Sequence, residues 1–321
     1  MPAVSETTRS TFEAGIAAVE LQCPRCAGSL QDHVCTACFF HLEMHRRVWI
    51  ALPRERAAHY AQFIADYERI RAAEGRGSQN DDYYLALPFE DISGRNQRQW
   101  TIRARTFSYM AQYILPAVRE HTGAAARILD MGAGNGWMSY RLSLMGFRPV
   151  AVDLLVNEQD GLGAAKHYQH HLAKMFPCVQ AEATHLPFAP DQFDAVIFNA
   201  SFHYAENYRT TLFESLRCLK HGGLIVIADS PWYGRKGSGE AMLTERHAAF
   251  QQRYGTSSAS IASMEFLTDE RLSDLEQMLN LKWERHTPYY GLRWAMRPLV
   301  ARLRRRREPS RFRIYTARKL A

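Results

Sequence analysis

The segment Arg127-Ile128-Leu129-Asp130-Met131-Gly132-Ala133-Gly134-Asn135-Gly136-Trp137 limits the fold of this chain more than any other stretch. A short apolar run reads as a buried strand, an acid marks its end, and alternating glycines lead into a helical pattern from Trp137. Such glycines let the backbone turn tightly and approach a ligand with no Cβ in the way. At the carboxyl edge of a parallel sheet, that loop makes a nucleoside pocket. The spacing is GxGxG, and Trp137 stands where a dinucleotide fingerprint has its third glycine. Asp130, just before the loop, sits poorly beside a pyrophosphate and suits a cationic ligand.

Downstream, Pro149-Val150-Ala151-Val152-Asp153 is a second apolar run closed by an acid, whose carboxylate can accept hydrogen bonds from both ribose hydroxyls. Ala181-Glu182-Ala183-Thr184-His185-Leu186-Pro187-Phe188 then precedes Phe193-Asp194-Ala195-Val196-Ile197-Phe198-Asn199. In this order, roughly from Ala126 to Asp229, the chain resembles the class I S-adenosylmethionine-dependent methyltransferases, most of all their quinone-biosynthesis-like "type 11" branch. The resemblance implies a cofactor loop of Asp130, Gly132, Ala133, Gly134, Asn135 and Gly136. It places the ribose at Asp153 and Leu154, the adenine between Glu182 and Ala183, and the sulfonium beside the loop from Asn199. His203 matches a position where relatives often carry a histidine near the methyl group, which makes it the candidate catalytic residue; a packing histidine is the alternative.

Methyl transfer from a sulfonium is an in-line displacement whose reactivity resides in the cofactor. A base is needed only where the acceptor must lose a proton. The loop Asn199-Ala200-Ser201-Phe202-His203-Tyr204 lacks the Asn-Pro-Pro-Tyr pattern that grips an exocyclic base nitrogen, which counts against adenine-N6 or glutamine chemistry.

Ile128, Val150, Cys178, Val196 and Leu224 each lie in apolar runs separated by helical patterns, so an α/β doubly wound, Rossmann-like sheet is expected. Trp283–Thr287 and Phe312–Ala317 read as its last two strands, and the resemblance implies seven strands with the final one inserted antiparallel. With 321 residues, 46% of them hydrophobic, the chain can bury a large core. Residues 1–52 are expected to be a zinc-ribbon segment, 53–122 a helical extension, and 123–321 the methyltransferase core, with a lid insert at about 230–267.

The ribbon rests on Cys23, Cys26, Cys35 and Cys38, two CxxC knuckles whose four thiolates can complete a tetrahedron. Four sulfur ligands leave no open position, so the expected Zn2+ is structural; disulfides or a redox pair are less compatible with this spacing. Cys178 and Cys218 read as core residues, and His41, His45 and the His167, His170, His171 cluster as surface or packing residues. A zinc knuckle ahead of such a core is similar to the guanine-N1 ribosomal-RNA methyltransferases, which keeps RNA as an alternative acceptor.

Tyr60, Phe63, Ile64, Tyr67 and Ile70 form one face of a helix starting at Pro53. A second helix is expected over Gln97–Leu115, closed by Pro116, and Tyr83 or Tyr84 between the two could shield the sulfonium. The insert after Asp229 carries Trp232, Tyr233, Arg235, Arg246 and Phe250 and suits a lid over a flat, partly anionic acceptor. The block Arg302, Arg304, Arg305, Arg306 and Arg307 could meet phosphate backbone or an anionic membrane, with a solvated connection favoured. Met1–Gln22 lack the apolar stretch of a signal peptide and no run approaches transmembrane length, so a soluble cytoplasmic protein without stable membrane insertion is expected. The leading reading is methylation of a small molecule or biosynthetic intermediate; the others are RNA methylation and a non-catalytic zinc-ribbon docking protein.

Overall fold

Short hairpins open the described chain, which in this computed structural model comprises residues 19–122 and 125–320. Strands β1 (Leu30–Gln31) and β2 (Val34–Cys35) pair beside the cysteines, and β3 (Glu43–His45) pairs antiparallel with β4 (Val48–Ile50). Helices α1 (Arg54–Ala73), α2 (Asp81–Ala86) and α3 (Gln97–Tyr109) follow. The first 18 residues of the expected ribbon segment, and most of the stretch read for a signal peptide, lie outside the described residues.

Helix α3 does not stop at Pro116. It widens into a π-helical turn over Met110–Ile114 and resumes as α4 (Leu115–Thr122). Proline lacks an N–H and its ring clashes with the carbonyl four residues back; the wider turn relieves both problems without ending the helix.

The alternating core then unfolds as β5 (Arg127–Met131), α5 (Trp137–Leu144), β6 (Arg148–Asp153), β7 (Cys178–Gln180), β8 (Phe193–Asn199), α6 (Tyr208–Cys218) and β9 (Leu219–Ala228). Helices α7 (Lys236–Tyr254) and α8 (Asp269–Leu279), strand β10 (Glu284–His286), helices α9 (Leu292–Ala295) and α10 (Arg297–Leu303), and strand β11 (Ile314–Arg318) complete it. Neighbouring strands run β10-β11-β9-β8-β5-β6-β7-β4-β3. β5 to β9 are mutually parallel, and β11 is inserted antiparallel between β9 and β10, as the resemblance implies.

The sheet has nine strands among the described residues, not seven. The two extra strands are β3 and β4, and β4 runs parallel to β7 with Val48 opposite Cys178 and Ile50 opposite Gln180. The expected boundary at residue 52 therefore assigns to the ribbon a hairpin that belongs to the core sheet. Composition could not reveal this, because Val48-Trp49-Ile50 is too short to show a period.

Side chains along each central strand alternate between two packed faces. Ile128, Ala195, Ile197 and Val226 meet Trp100, Phe107 and Ile114 on one side. Leu129, Val150, Val196 and Ile225 meet Phe188, Tyr208 and Leu212 on the other. Burying a Val or Ile side chain contributes about 2 kcal/mol, so both faces fix the register and aim the strand ends at one edge. No helix among the described residues is long and apolar enough to cross a membrane.

Candidate functional site

The glycine loop leaves β5 at the carboxyl edge, and Gly132, Gly134 and Gly136 all take positive φ. At Gly132 a residue without a Cβ is required: a Cβ there would lie 2.2 Å from Ser201 Cβ, on the facing loop after β8. The close approach joins two strand ends around a cavity. Met131, Gly132, Ala133, Gly134 and Asn135 line one side, and Phe198, Asn199, Ala200, Ser201 and Phe202 another. Asp153, Leu154, Leu155, Ala181, Ala183 and Thr184 complete the floor from the ends of β6 and β7.

Helices from the N-terminal extension form the roof. Tyr60, Phe63, Tyr67 and Arg71 recur along one stripe of α1, and Trp100 and Arg103 come from α3. Tyr204, Glu206 and Ile261 close the remaining side. The cover expected from Tyr83 and Tyr84 is thus supplied by other residues. Both tyrosines are buried behind the wall, where the Tyr84 hydroxyl bonds to the Gln159 and Ser78 carbonyls and its ring stacks on His167. A cation inside the apolar stripe of α1, Arg71, was the available sequence signal for a cavity-facing helix.

Of the three acids singled out, one lines the cavity. Asp153 accepts backbone N–H bonds from Gly134 at Oδ2 and Leu155 at Oδ1, both 2.8 Å, so it ties the loop to the next strand. Burial holds its carboxyl above the usual range despite those bonds. Asp130 is 1% exposed, lies behind the lining, and accepts from Ser139 Oγ at 2.7 Å; burial pushes its pKa up to about 7. Gly136 likewise shapes the turn without lining the cavity, its φ of 78° starting α5.

Glu182 is 2% exposed and faces α1 rather than the cavity. Arg56 Nη2 and Nε donate to it, and the Tyr60 hydroxyl lies 3.2 Å away. The expected carboxylate beside the adenine is therefore already engaged. Its neighbours Ala181 and Ala183 line the cavity.

His203 sits on a short 3-10 turn, Phe202–Tyr204, and is 7% exposed and outside the cavity lining. Burial drives its pKa down to about 4, which makes it a weak base. The adjacent Tyr204 faces the cavity in its place.

Two cavity groups have unspent polarity. Asn199 Oδ1 is buried without a hydrogen-bond partner. Among the described residues, the Arg103 guanidinium has no carboxylate within ion-pair distance, the buried Asp229 acting on it only from further off, and lies over the Trp100 ring at 4.7 Å; burial and the guanidiniums of Arg76 and Arg71 lower its pKa to about 10. Arg71 is instead balanced, with Nε 3.4 Å from Asp160 Oδ2. Asp160, a lining residue with no distinguishing signal in the sequence, also accepts from Asn135 Nδ2 at 3.2 Å.

The four N-terminal cysteines converge on one centre, their sulfurs all within 4.8 Å of one another. Cys23 and Cys38 Sγ are 3.5 Å apart, and Cys26 and Cys35 Sγ 3.4 Å. Tetrahedral zinc with bonds of about 2.3 Å needs sulfurs about 3.8 Å apart, within this spread. Backbone N–H groups of Arg25 and Cys38 point at Cys23 and Cys35 Sγ, and Gly28 packs so closely that a Cβ would lie 3.2 Å from Cys35 Sγ. Among the described residues no such cluster forms around His167, His170 and His171; His167 is buried against Asp81.

Residues 129–227 match a family described as "Methyltransferase domain" (Methyltransf_11). The chain is 37% identical over 106 residues to a demethylmenaquinone methyltransferase of Clavibacter sepedonicus, covering 33% of this chain and 42% of that protein. It is 32% identical over 139 residues to an uncharacterized methyltransferase of Mycolicibacterium vanbaalenii, covering 41% and 52%. The chain thus spans about half the length of the curated relatives it matches, or less. Among solved structures it is similar to the 1,6-didemethyltoxoflavin-N1-methyltransferase of Burkholderia thailandensis, with 18% identity, 84% and 91% of the two chains covered, and a TM-score of 0.49. The glycine loop, the strand order and the family match agree: the chain contains a class I S-adenosylmethionine-dependent methyltransferase domain.

Proposed function

We propose that this protein methylates a flat small-molecule acceptor with S-adenosylmethionine, and that its four cysteines hold a structural Zn2+. The observation that carries the reading is the pairing of unspent groups in one glycine-edged cavity. Arg103 offers a guanidinium to a carboxylate, and Asn199 Oδ1 offers an acceptor to an ammonium. Together they complement the zwitterionic end of an amino-acid ligand. Asp153 retains lone pairs for ribose hydroxyls beyond its two backbone bonds, and Leu154, Leu155, Ala181 and Ala183 give an apolar slot of adenine width.

When bound, the cofactor supplies an electrophilic methyl group. The chain's own residues orient and enclose. The glycine loop and Asn199 fix the amino-acid end, while Phe63, Tyr67, Trp100 and Tyr204 exclude water and offer π-faces to a cationic centre and to a planar acceptor. No histidine base is assigned, since His203 is buried and weakly basic. A small acceptor is favoured over RNA because α1 and α3 roof part of the cavity, and the named curated relatives include demethylmenaquinone methyltransferases. The cysteine cluster is packed on the core, with Gln22 N bonded to Pro187 O and Arg25 to Glu55, which supports a structural metal over a free RNA-binding or docking arm.

The test is transfer of radiolabelled methyl from S-adenosylmethionine into cell extract fractionated into RNA, protein, lipid and small metabolites. Label in the lipid or metabolite fraction is expected. Label released by ribonuclease would replace this acceptor class with RNA, and absence of label in every fraction would sink the enzymatic reading.

A further inference from the structure

The arginine block follows a row of aliphatic side chains left in water. Leu292, Met296, Leu299, Val300 and Leu303 recur at helical spacing through α9 and α10, and all are exposed, Leu292 and Leu303 to 70% and 76%. The carbonyl of Leu292 accepts from Met296 N and that of Met296 from Val300 N, so the two helices run on as one rod and the five side chains share a face. Exposed rows of this kind are uncommon on a finished surface.

The rod is anchored from beneath. Trp294 stacks on Phe312 with ring centroids 5.3 Å apart, and the Arg297 guanidinium lies 3.9 Å over Trp294. Tyr290, just before it, is buried and bonds through its hydroxyl to Thr106 on α3, the helix that brings Trp100 and Arg103 to the cavity. The aliphatic row therefore faces outward because its opposite side is held.

Charge frames the row. Arg293 and Arg304 fall on one flank of the rod and Arg302 on the other, with Arg305 and Arg306 at its end. Among the described residues none of these five has a carboxylate partner within ion-pair distance, whereas Arg307 is paired with Glu245. Aliphatic side chains in the middle with arginines at the rim match an anionic bilayer surface, where the first enter the acyl boundary and the second meet headgroup phosphates. A nucleic acid would use the arginines but not the leucines; Trp294 and Phe312 are stacked on each other, and only the exposed Tyr289 beside the rod, among the described residues near it, could offer a ring to a base.

We infer that the face formed by Leu292, Met296, Leu299, Val300 and Leu303, rimmed by Arg293, Arg302 and Arg304–Arg306, seats this protein peripherally on anionic lipid membranes.

Sedimentation of the full chain with vesicles tests this. Binding is expected to equimolar phosphatidylcholine and phosphatidylglycerol at about 0.1 M salt and not to phosphatidylcholine alone. Leu299→Asp with Leu303→Asp is expected to weaken binding at least tenfold though every arginine remains. Arg302→Glu, Arg304→Glu and Arg305→Glu together should do the same, and these exposed changes are expected to leave the melting temperature near that of the parent. Undiminished vesicle binding by the aspartate variant would overturn the inference, as would failure of the parent to bind anionic vesicles. Transfer RNA that strips the parent from vesicles, while binding the aspartate variant equally well, would reassign the surface to nucleic acid. Should the aspartate variant misfold, the glutamate variant alone decides: vesicle binding that survives it removes the proposal.

Discussion

Arg56 reaches 126 residues along the sequence to close over Glu182, with Nη2 2.7 Å from Oε2 and Nε 2.9 Å from both carboxylate oxygens. The pair joins the roof helix α1 to the end of β7. Glu182 is 2% exposed at its side chain and Arg56 34%, so the acid depends on this partner and the arginine much less on the acid.

Arg56→Met is expected to leave the buried Glu182 with only Tyr60, Thr184 and His185 beside it and to destabilise the fold by about 2 kcal/mol, below the usual range for a fully buried pair because those groups remain and Arg56 keeps contact with water. Glu182→Gln in the same chain should recover part of that loss. Chemical denaturation of both variants checks it; equal stability of Arg56→Met and the parent would mean that Tyr60, Thr184 and His185 suffice for Glu182.

Arg103 carries the opposite imbalance, a buried guanidinium with no carboxylate within ion-pair distance among the described residues. Arg103→Met is expected to weaken S-adenosylmethionine binding roughly 10- to 100-fold, about 1.4 to 3 kcal/mol, while leaving 5′-methylthioadenosine nearly unaffected, since that nucleoside lacks the amino-acid end. Titration calorimetry with both compounds makes the comparison. Equal losses for the two would place Arg103 away from the carboxylate.

Asp130 gives a pH signature. Its folded pKa of about 7 lies above the unfolded value near 3.8, so the native state binds this proton more tightly. The ionised form is disfavoured by folding, and the associated stability is present at low pH and is lost as pH rises from about 4 to 7. At roughly 1.4 kcal/mol per unit, the upper bound is about 4 kcal/mol. Asp130→Asn should therefore gain on the parent progressively across that window, with Ser139 still finding an oxygen acceptor. A stability difference that stays flat from pH 4 to 8 would contradict this assignment.

The cysteine cluster predicts one equivalent of zinc per chain by atomic absorption. Cys26→Ser, or a strong chelator, is expected to lower the melting temperature by several degrees, since the segment around β1 and β2 has little apolar core of its own. Metal-free protein with an unchanged melting temperature would make the cluster dispensable.

What the sequence made legible was local and periodic. The alternation of strands and helices, the positive-φ glycines and the four cysteines each depend on spacing within a few residues, and each has a counterpart in the structure. The misread parts were set by distant partners. Glu182 is claimed by an arginine on another element, His203 turns into the core instead of the cavity, and Tyr60, Phe63 and Tyr67 look like ordinary core on a helical wheel. Pro116 looks like a terminator because nothing in the sequence announces a π-helical turn. The cavity lining from α1 and α3 was legible only through Arg71 and Arg103, cations placed where apolar residues were expected.

The pairing of β4 with β7 also governs how this protein can be dissected. A truncation after the cysteine-rich segment, at residue 52, would strip two strands from the core sheet along with the β1–β2 hairpin and leave the short β7 as a bare flank with unpaired N–H and C=O groups. Fragments cut there should self-associate through that flank, so the smallest well-behaved piece has to begin upstream of Glu43.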